Sequence, residues 1–421
     1  MKSVVLYLHM HQPLRIKQYS IFSVGHDHDY WTEKDWYAGP NNERIFKKVT
    51  EKSYRPMLAK LEKCLVDYPG FKFSISITGT FIEQAQKWAP DLIVTLQRLA
   101  KTGRMEIAGE TYYHSLAFFF DKQEFEEQVR KHQDTIRELF GLETKIFRNT
   151  EFSYNNDLAR WADEYGFKGI LAEGWDKILE GRTPNAVYRP EGCNNIKLLM
   201  KNYDLSDDVA FRFPDKTWNE WPLTAEKFVN WVSEAADEGP IVDLFMDFET
   251  FGENIWKDTG IFGFFDEFVK RWDEAEGTSF MTLSEACDSH EPAGEISVPW
   301  TVTWADTERD LSAWLGNSIQ HEAMKALYEL KDKVFAIGDE KLIEDWRHLQ
   351  TSDHPYYMCT KYFNDGGVHA YFSPYDSPFD AFQYFMNVIR DMRLRVDPEA
   401  KDGESATLPK PEAVTIDKID E

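Results

Sequence analysis

Seven short, almost wholly apolar runs punctuate the first 250 or so residues, and amphipathic stretches separate them. The runs are Val4–Leu8, Phe71–Ile77, Met105–Ala108, Lys145–Phe147, Gly169–Ala172, Ile196–Met200 and Ile241–Met246. Between them, Tyr54–Val66, Pro90–Lys101, Glu124–Leu139 and Asp157–Tyr165 carry charge on one face and apolar residues at three- and four-residue spacing. A strand that reads as continuously apolar is covered on both faces, which is the condition of a parallel sheet wrapped by helices. Seven such strands over about 250 residues fit a (β/α) barrel better than a small doubly wound sheet. The expected fold is therefore α/β, an incomplete seven-stranded (β/α) barrel over residues 1–300.

From about Glu308 the period becomes helical. Asp310–Lys333, Glu340–Gln350 and Pro378–Arg395 show helical spacing without strand signals. A C-terminal helical region over 301–396, packed on the barrel and completing its cleft, follows. Residues 397–421 are polar, acidic and proline-bearing, the composition of a disordered tail.

Charge and cysteine usage narrow the partners. A net charge of −25 repels phosphate backbones and anionic lipid, so neither nucleic acid nor a membrane surface is expected. No apolar run approaches the ~20 residues of a membrane span, and the start, MKSVVLYLHMHQP, is too short in apolar residues for a secretory segment. Cys64, Cys193, Cys287 and Cys359 stand singly, which speaks against a disulfide framework or a thiolate zinc site and for a reducing, cytoplasmic setting. Aromatic residues reach 15 %, several of them in polar loops such as PDKTWNEWP and FGENIW. Rings presented from loops suit sugars, whose C–H faces are apolar and whose rims are hydroxyls.

In parallel α/β folds the chemistry gathers at the carboxyl ends of the strands. His9, His11 and Gln12 follow the first run, as HMHQP. Glu110 and His114 follow the third, Arg148, Asn149 and Glu151 the fourth, and Glu173 and Trp175 the fifth. Asp247 and Glu249 end the seventh. Glu151 (FRNTEFSYNND) and Asp247 (DLFMDFETFGE) each follow an apolar run and have aromatic neighbours that would desolvate them. Two such carboxyl groups across a barrel mouth are the apparatus of glycoside hydrolysis. A rival reading takes His9 and His11 as the first ligands of a metal-dependent amidohydrolase or deacetylase, with His114 or His132 and an Asp completing the set. The His26–Asp29 cluster, in a Gly-flanked loop, reads as surface.

HMHQP, GRMEIAGETYYHSL, FRNTEF, DFETFGE and TWADTERDLSAWLGN resemble, in order, the five conserved regions of glycoside hydrolase family 57, nearest its α-amylase-like branch. The resemblance spans roughly Met1 to Tyr375. It implies an incomplete seven-stranded barrel with a helical C-terminal region, acting on α-glucans or maltooligosaccharides by a retaining mechanism without metal or other cofactor. It makes Glu151 the nucleophile and Asp247 the acid/base, and it places His9, His11, His114, Asp310 and Trp314 along the substrate subsites. Hydrolysis and glucan transfer both occur in the family. A retaining pair should lie roughly 5–5.5 Å apart. The loop Tyr203–Trp221, with Trp218 and Trp221, is expected to cover the donor side of the cleft. A glucan-binding relative without turnover is the remaining alternative.

Overall fold

A computed structural model describes residues 1–361 and 368–397; the expected acidic tail lies almost wholly outside the described residues. The strands are β1 (Lys2–Met10), β2 (Phe73–Ile77), β3 (Met105–Ile107), β4 (Ile146–Phe147), β5 (Gly169–Glu173), β6 (Arg189–Pro190), β7 (Lys197–Lys201), β8 (Ile241–Asp247), β9 (Thr278–Met281) and β10 (Glu295–Ile296). One parallel sheet runs β3–β2–β1–β8, a second runs β4–β5–β7, and β6 pairs with β10 apart from both. Single rungs join the two main sheets. The Gly109 amide donates to the Ile146 carbonyl and the Arg148 amide to Gly109, both at 2.8 Å. The Asn202 amide donates to Asp243 at 2.9 Å. The seven apolar runs thus become β1–β5, β7 and β8, the incomplete barrel that the alternation predicts. β9, whose TSFM sequence carries no strand signal, is an addition that pairs with the first half of β1, below the reach of β2.

Side-chain parity explains why these strands read as continuous apolar runs. Val4, Leu6 and Leu8 of β1 and Val242, Leu244 and Met246 of β8 pack outward against the helices. Val5, Tyr7, Ile241 and Phe245 pack inward with Ala108, Ile146, Leu171 and Leu199. Both faces are buried, so apolar residues dominate each, with Asp243 and Ser3 the exceptions on the inward side of β8 and β1. The inward parity continues upward to His9 and Asp247, which are paired in register across β1 and β8.

The C-terminal region has a separate core. Leu327, Trp346, Phe385, Val388, Ile389 and Met392 bury against Tyr19 and Tyr30 of the long loop after β1. The expected helix Asp310–Lys333 is broken into Ser312–Leu315, Ser318–Tyr328 and Lys331–Ile337. Asn317 caps the second piece, accepting from the Gln320 amide, while Gln320 reaches back to the Asn317 amide. Helix Pro378–Val396 opens with Ser377 as cap and proline in the first turn, where its missing N–H costs nothing. Among the described residues no helix is long and apolar enough to cross a membrane.

Candidate active site

The turn after β4 sets the site. Glu151 and Phe152 both adopt left-handed backbone, with φ of 59° and 52°, and His114 after β3 does so at 53°. Non-glycine residues pay for that conformation, of order 1–3 kcal/mol each, so they hold it only where the surroundings enforce it. Here Asn149 donates to the Ser153 hydroxyl at 2.8 Å and the Phe152 amide to the Asn149 carbonyl at 3.0 Å. The ring of Phe152 is buried in the barrel interior beside Tyr7 and Phe245. With Phe152 anchored below, the tight turn leaves the Glu151 carboxyl above.

Three donors meet that carboxyl. His114 Nε2 lies 3.0 Å and Ser352 Oγ 3.1 Å from Oε1, and the Trp304 indole N–H donates to Oε2 at 2.8 Å. Burial alone would push the acid upward, but the His114 hydrogen bond and charge, with Arg148 behind, overcome it and hold Glu151 at about 2. The converse holds for His114. Burial favours the neutral ring, and the bonds to Glu110 (3.3 Å) and Glu151 prevail, raising it to about 9. At neutral pH Glu151 is a carboxylate facing an imidazolium.

Across the mouth, Asp247 is 42 % exposed through its side chain and meets His9 Nδ1 at 3.6 Å. His9 Nε2 lies 3.3 Å from Glu110 Oε2, which also takes His114 Nδ1. A continuous line of polar contacts therefore runs from Asp247 through His9, Glu110 and His114 to Glu151. The rings of His9, His11 and His114 stack beside it, with His11 and His114 centroids 4.0 Å apart. Burial and the neighbouring His114 push His11 down to about 4, so it stays neutral and bonds Thr78 Oγ1 (2.9 Å) and Asp353 Oδ2 (2.8 Å). Glu249 sits behind Asp247, hydrogen-bonded by Tyr54. Burial and the nearby Asp247 raise it to about 8, which makes it a neutral acid at working pH.

His9, Glu110 and His114, and separately His11, His114 and Asp353, bring ligand atoms within 4.8 Å of one another, close enough for an ion. Both nitrogens of His114 are committed to carboxylates, however, and its raised pKa opposes a metal, which needs a neutral ring. His132 is elsewhere, bonded to the Ile77 carbonyl at 2.9 Å. In the His26–Asp29 loop, Asp27 meets Lys17 and His28 meets Asp391.

Of the residues singled out in the sequence, Glu151, Asp247, His9, His11, Glu110, His114 and Glu249 converge at this mouth. Gln12 is buried just beneath, its backbone oxygen taking Gln84 and its side chain Arg15. Trp175 packs half-buried on another apolar cluster with Lys177 over its ring. Trp218 packs against Trp231 and under Arg212, and Trp221 stands 43 % exposed. One subsite expectation is corrected. Trp314 is buried beside Leu116 and Ala313, with no face open to a sugar. Asp310 is exposed and accepts from the Ser312 amide at 2.8 Å. Sequence reasoning missed Trp304, Ser352 and Asp353. Trp304 stands in the fifth quoted region, whereas Ser352 and Asp353 carry no local signal.

Comparison with known proteins shows the family. The profile of "Glycosyl hydrolase family 57" matches residues 5–299. A protein of Methanocaldococcus jannaschii described as "Putative alpha-amylase" is 40 % identical over 367 residues, 84 % of this chain and 77 % of its own length. An alpha-amylase of Pyrococcus horikoshii is 24 % identical over 71 % of this chain, which spans 46 % of that relative. Among solved structures, a GH57 branching enzyme from Thermococcus kodakaraensis superposes with a TM-score of 0.70 at 14 % identity, covering 96 % of this chain and 92 % of that one. With the family profile covering the whole barrel and its strand ends, the chain belongs to glycosyl hydrolase family 57.

Proposed function

We propose that the protein cleaves α-glucosidic bonds of α-glucans or maltooligosaccharides by double displacement, passing the glycosyl group to water or to a second sugar. The observation that carries this reading is the pairing of Glu151, met by three donors, with a part-exposed Asp247 joined to it through His9, Glu110 and His114. Asp247 donates its proton to the glycosidic oxygen as the Glu151 carboxylate bonds to C1 and the leaving sugar departs. Asp247 then accepts a proton from water or an acceptor hydroxyl, whose oxygen attacks C1 and releases Glu151. His114, as imidazolium, keeps Glu151 ionised between turnovers. Relatives described as alpha-amylase and 4-alpha-glucanotransferase support either acceptor.

The same reading divides the chain into a catalytic barrel over 1–300 and a helical region over 301–396. Ser352 and Asp353, from the latter, reach Glu151 and His11. It also keeps the protein cytoplasmic, on the strength of four free, buried cysteines.

Product profiles on maltooligosaccharides, with and without excess chelator, test the proposal. Shorter products mean hydrolysis and longer ones mean transfer, and chelator should leave either unchanged. In Glu151→Gln, kcat should fall by about 10⁴-fold or more while KM stays within a few-fold. Glu151→Gln retaining more than a few per cent of kcat, or loss of activity in chelator restored by zinc, would overturn it.

A further inference from the structure

Beside the Glu151 turn lies a buried ion cluster that this chemistry leaves unused. Glu173, at the end of β5, is fully buried, and its Oε2 is 3.1 Å from Arg309 Nη1 and 3.4 Å from Lys201 Nζ. Lys201 also donates to Asp207 at 2.9 Å. Glu173 and Lys201 are buried, with Arg309 and Asp207 partly exposed at their sides. Burying such charges is expensive, and a core packs as well without them, so the cluster calls for a reason beyond stability.

Its position supplies one. The segment 303–310 closes on itself: the Thr303 amide donates to the Arg309 carbonyl at 3.0 Å, and the Thr303 hydroxyl to the Asp310 carbonyl at 2.8 Å. Asp306 and Arg309 are both left-handed, at φ of 56° and 49°. The Arg309 guanidinium, gripped by Glu173, lies 4.6 Å over the Tyr203 ring. At the other end of this closed segment is Trp304. Its ring packs tilted against Phe152 at 4.9 Å, with Lys201 and Arg148 at 5.7 and 5.3 Å. Its amide and its indole N–H both reach Glu151. Glu173 therefore holds two cations, one that ties down the loop and one that touches the indole the loop presents.

We infer that Glu173, Lys201 and Arg309 form a brace that sets the Trp304 indole against Glu151, which makes Glu173 and Arg309 positioning residues for formation of the glycosyl–enzyme. The inference rests on the reading of Glu151 as nucleophile. His114 and Ser352 both take Oε1, so Trp304 is the contact that fixes the second oxygen and hence the rotation of the carboxylate. A misplacement of about 1 Å at an attacking atom costs on the order of a hundredfold in rate. The charged groups facing Glu151 are His114, Arg148 and Asp353, and none of them belongs to the brace.

The test uses the full chain and a 5-fluoro-α-glycosyl fluoride, which forms a bond from the Glu151 carboxylate to C1 as fluoride leaves and is then hydrolysed slowly. Mass spectrometry of the labelled peptide identifies the nucleophile, and the labelling rate reads its positioning. Glu173→Gln, Arg309→Gln and Trp304→Phe should each still label Glu151, about ten- to a hundredfold more slowly. KM should stay within about threefold, and the acid limb of kcat/KM should move toward neutrality as Glu151 loses a donor. Arg309→Lys should recover most of the rate, and the Glu173→Gln/Trp304→Phe double variant should be no slower than Trp304→Phe. If Glu173→Gln folds poorly, the Arg309 pair carries the same test. Lowered melting temperature with wild-type labelling rate and acid limb, or losses that multiply in the double variant, would overturn the brace. Label on a carboxylate other than Glu151 would instead overturn the nucleophile.

Discussion

Asp247 and Asp243 stand four residues apart on the inward parity of β8, and burial gives them opposite fates. Asp247, at the rim, is 42 % exposed and, among the described residues, has His9 as its ionic partner. On the proposed double displacement it must both give and take a proton. Asp247→Asn should therefore depress turnover of maltooligosaccharides far more than that of α-glycosyl fluorides, whose leaving group needs no proton. Steady-state rates on both substrates check this, and equal losses would remove Asp247 from proton transfer. Asp243, inside the barrel, is fully buried, and burial raises its carboxyl well above the usual range, only partly offset by the Met200 backbone. A raised native pKa gives stability that is present below the unfolded value near 4 and lost as pH rises. Asp243→Asn removes that liability. Its melting temperature should exceed wild type by about 2–6 °C at pH 8 and by less than about 1 °C at pH 4.

Among elements, the strands were legible and the loops less so, for a physical reason. Burial on both faces stamps an apolar run on each of β1–β5, β7 and β8, and five of their carboxyl ends announce polar chemistry. β9 pairs with half a strand, is only partly buried, and leaves no such mark. Asp353 and Ser352 could not be found from spacing, because only tertiary packing brings helix Asp353–Tyr357 to His11, some 340 residues away in sequence. The resemblance misled at one position: a motif carried over from a family does not report burial, and Trp314 is sealed in a core. In the Tyr203–Trp221 loop the structure separates the two tryptophans. Trp221→Ala, removing a part-exposed ring, should raise KM for long glucans more than for short ones. Trp218→Ala, removing a ring packed between Arg212 and Trp231, should lower melting temperature instead. Kinetics across a chain-length series and a melting curve for each variant separate the two roles, and a KM rise independent of length would deny the loop a subsite.

For the molecule as a whole, segments far apart in sequence meet at one carboxylate. The barrel supplies Glu151, its partner His114 and, across the mouth, Asp247, while Ser352 and Trp304 come from beyond residue 300. The proposed double displacement requires Glu151 to attack C1 directly, with no water between. The anomer of the first product, followed by proton NMR from the earliest seconds of cleavage of an α-linked maltooligosaccharide, reports this without any mutation. Two displacements at one carbon return the starting configuration, so the α-anomer should form first and drift to the equilibrium mixture by mutarotation. A β-anomer forming first would mean a single displacement by water and would contradict Glu151 as nucleophile.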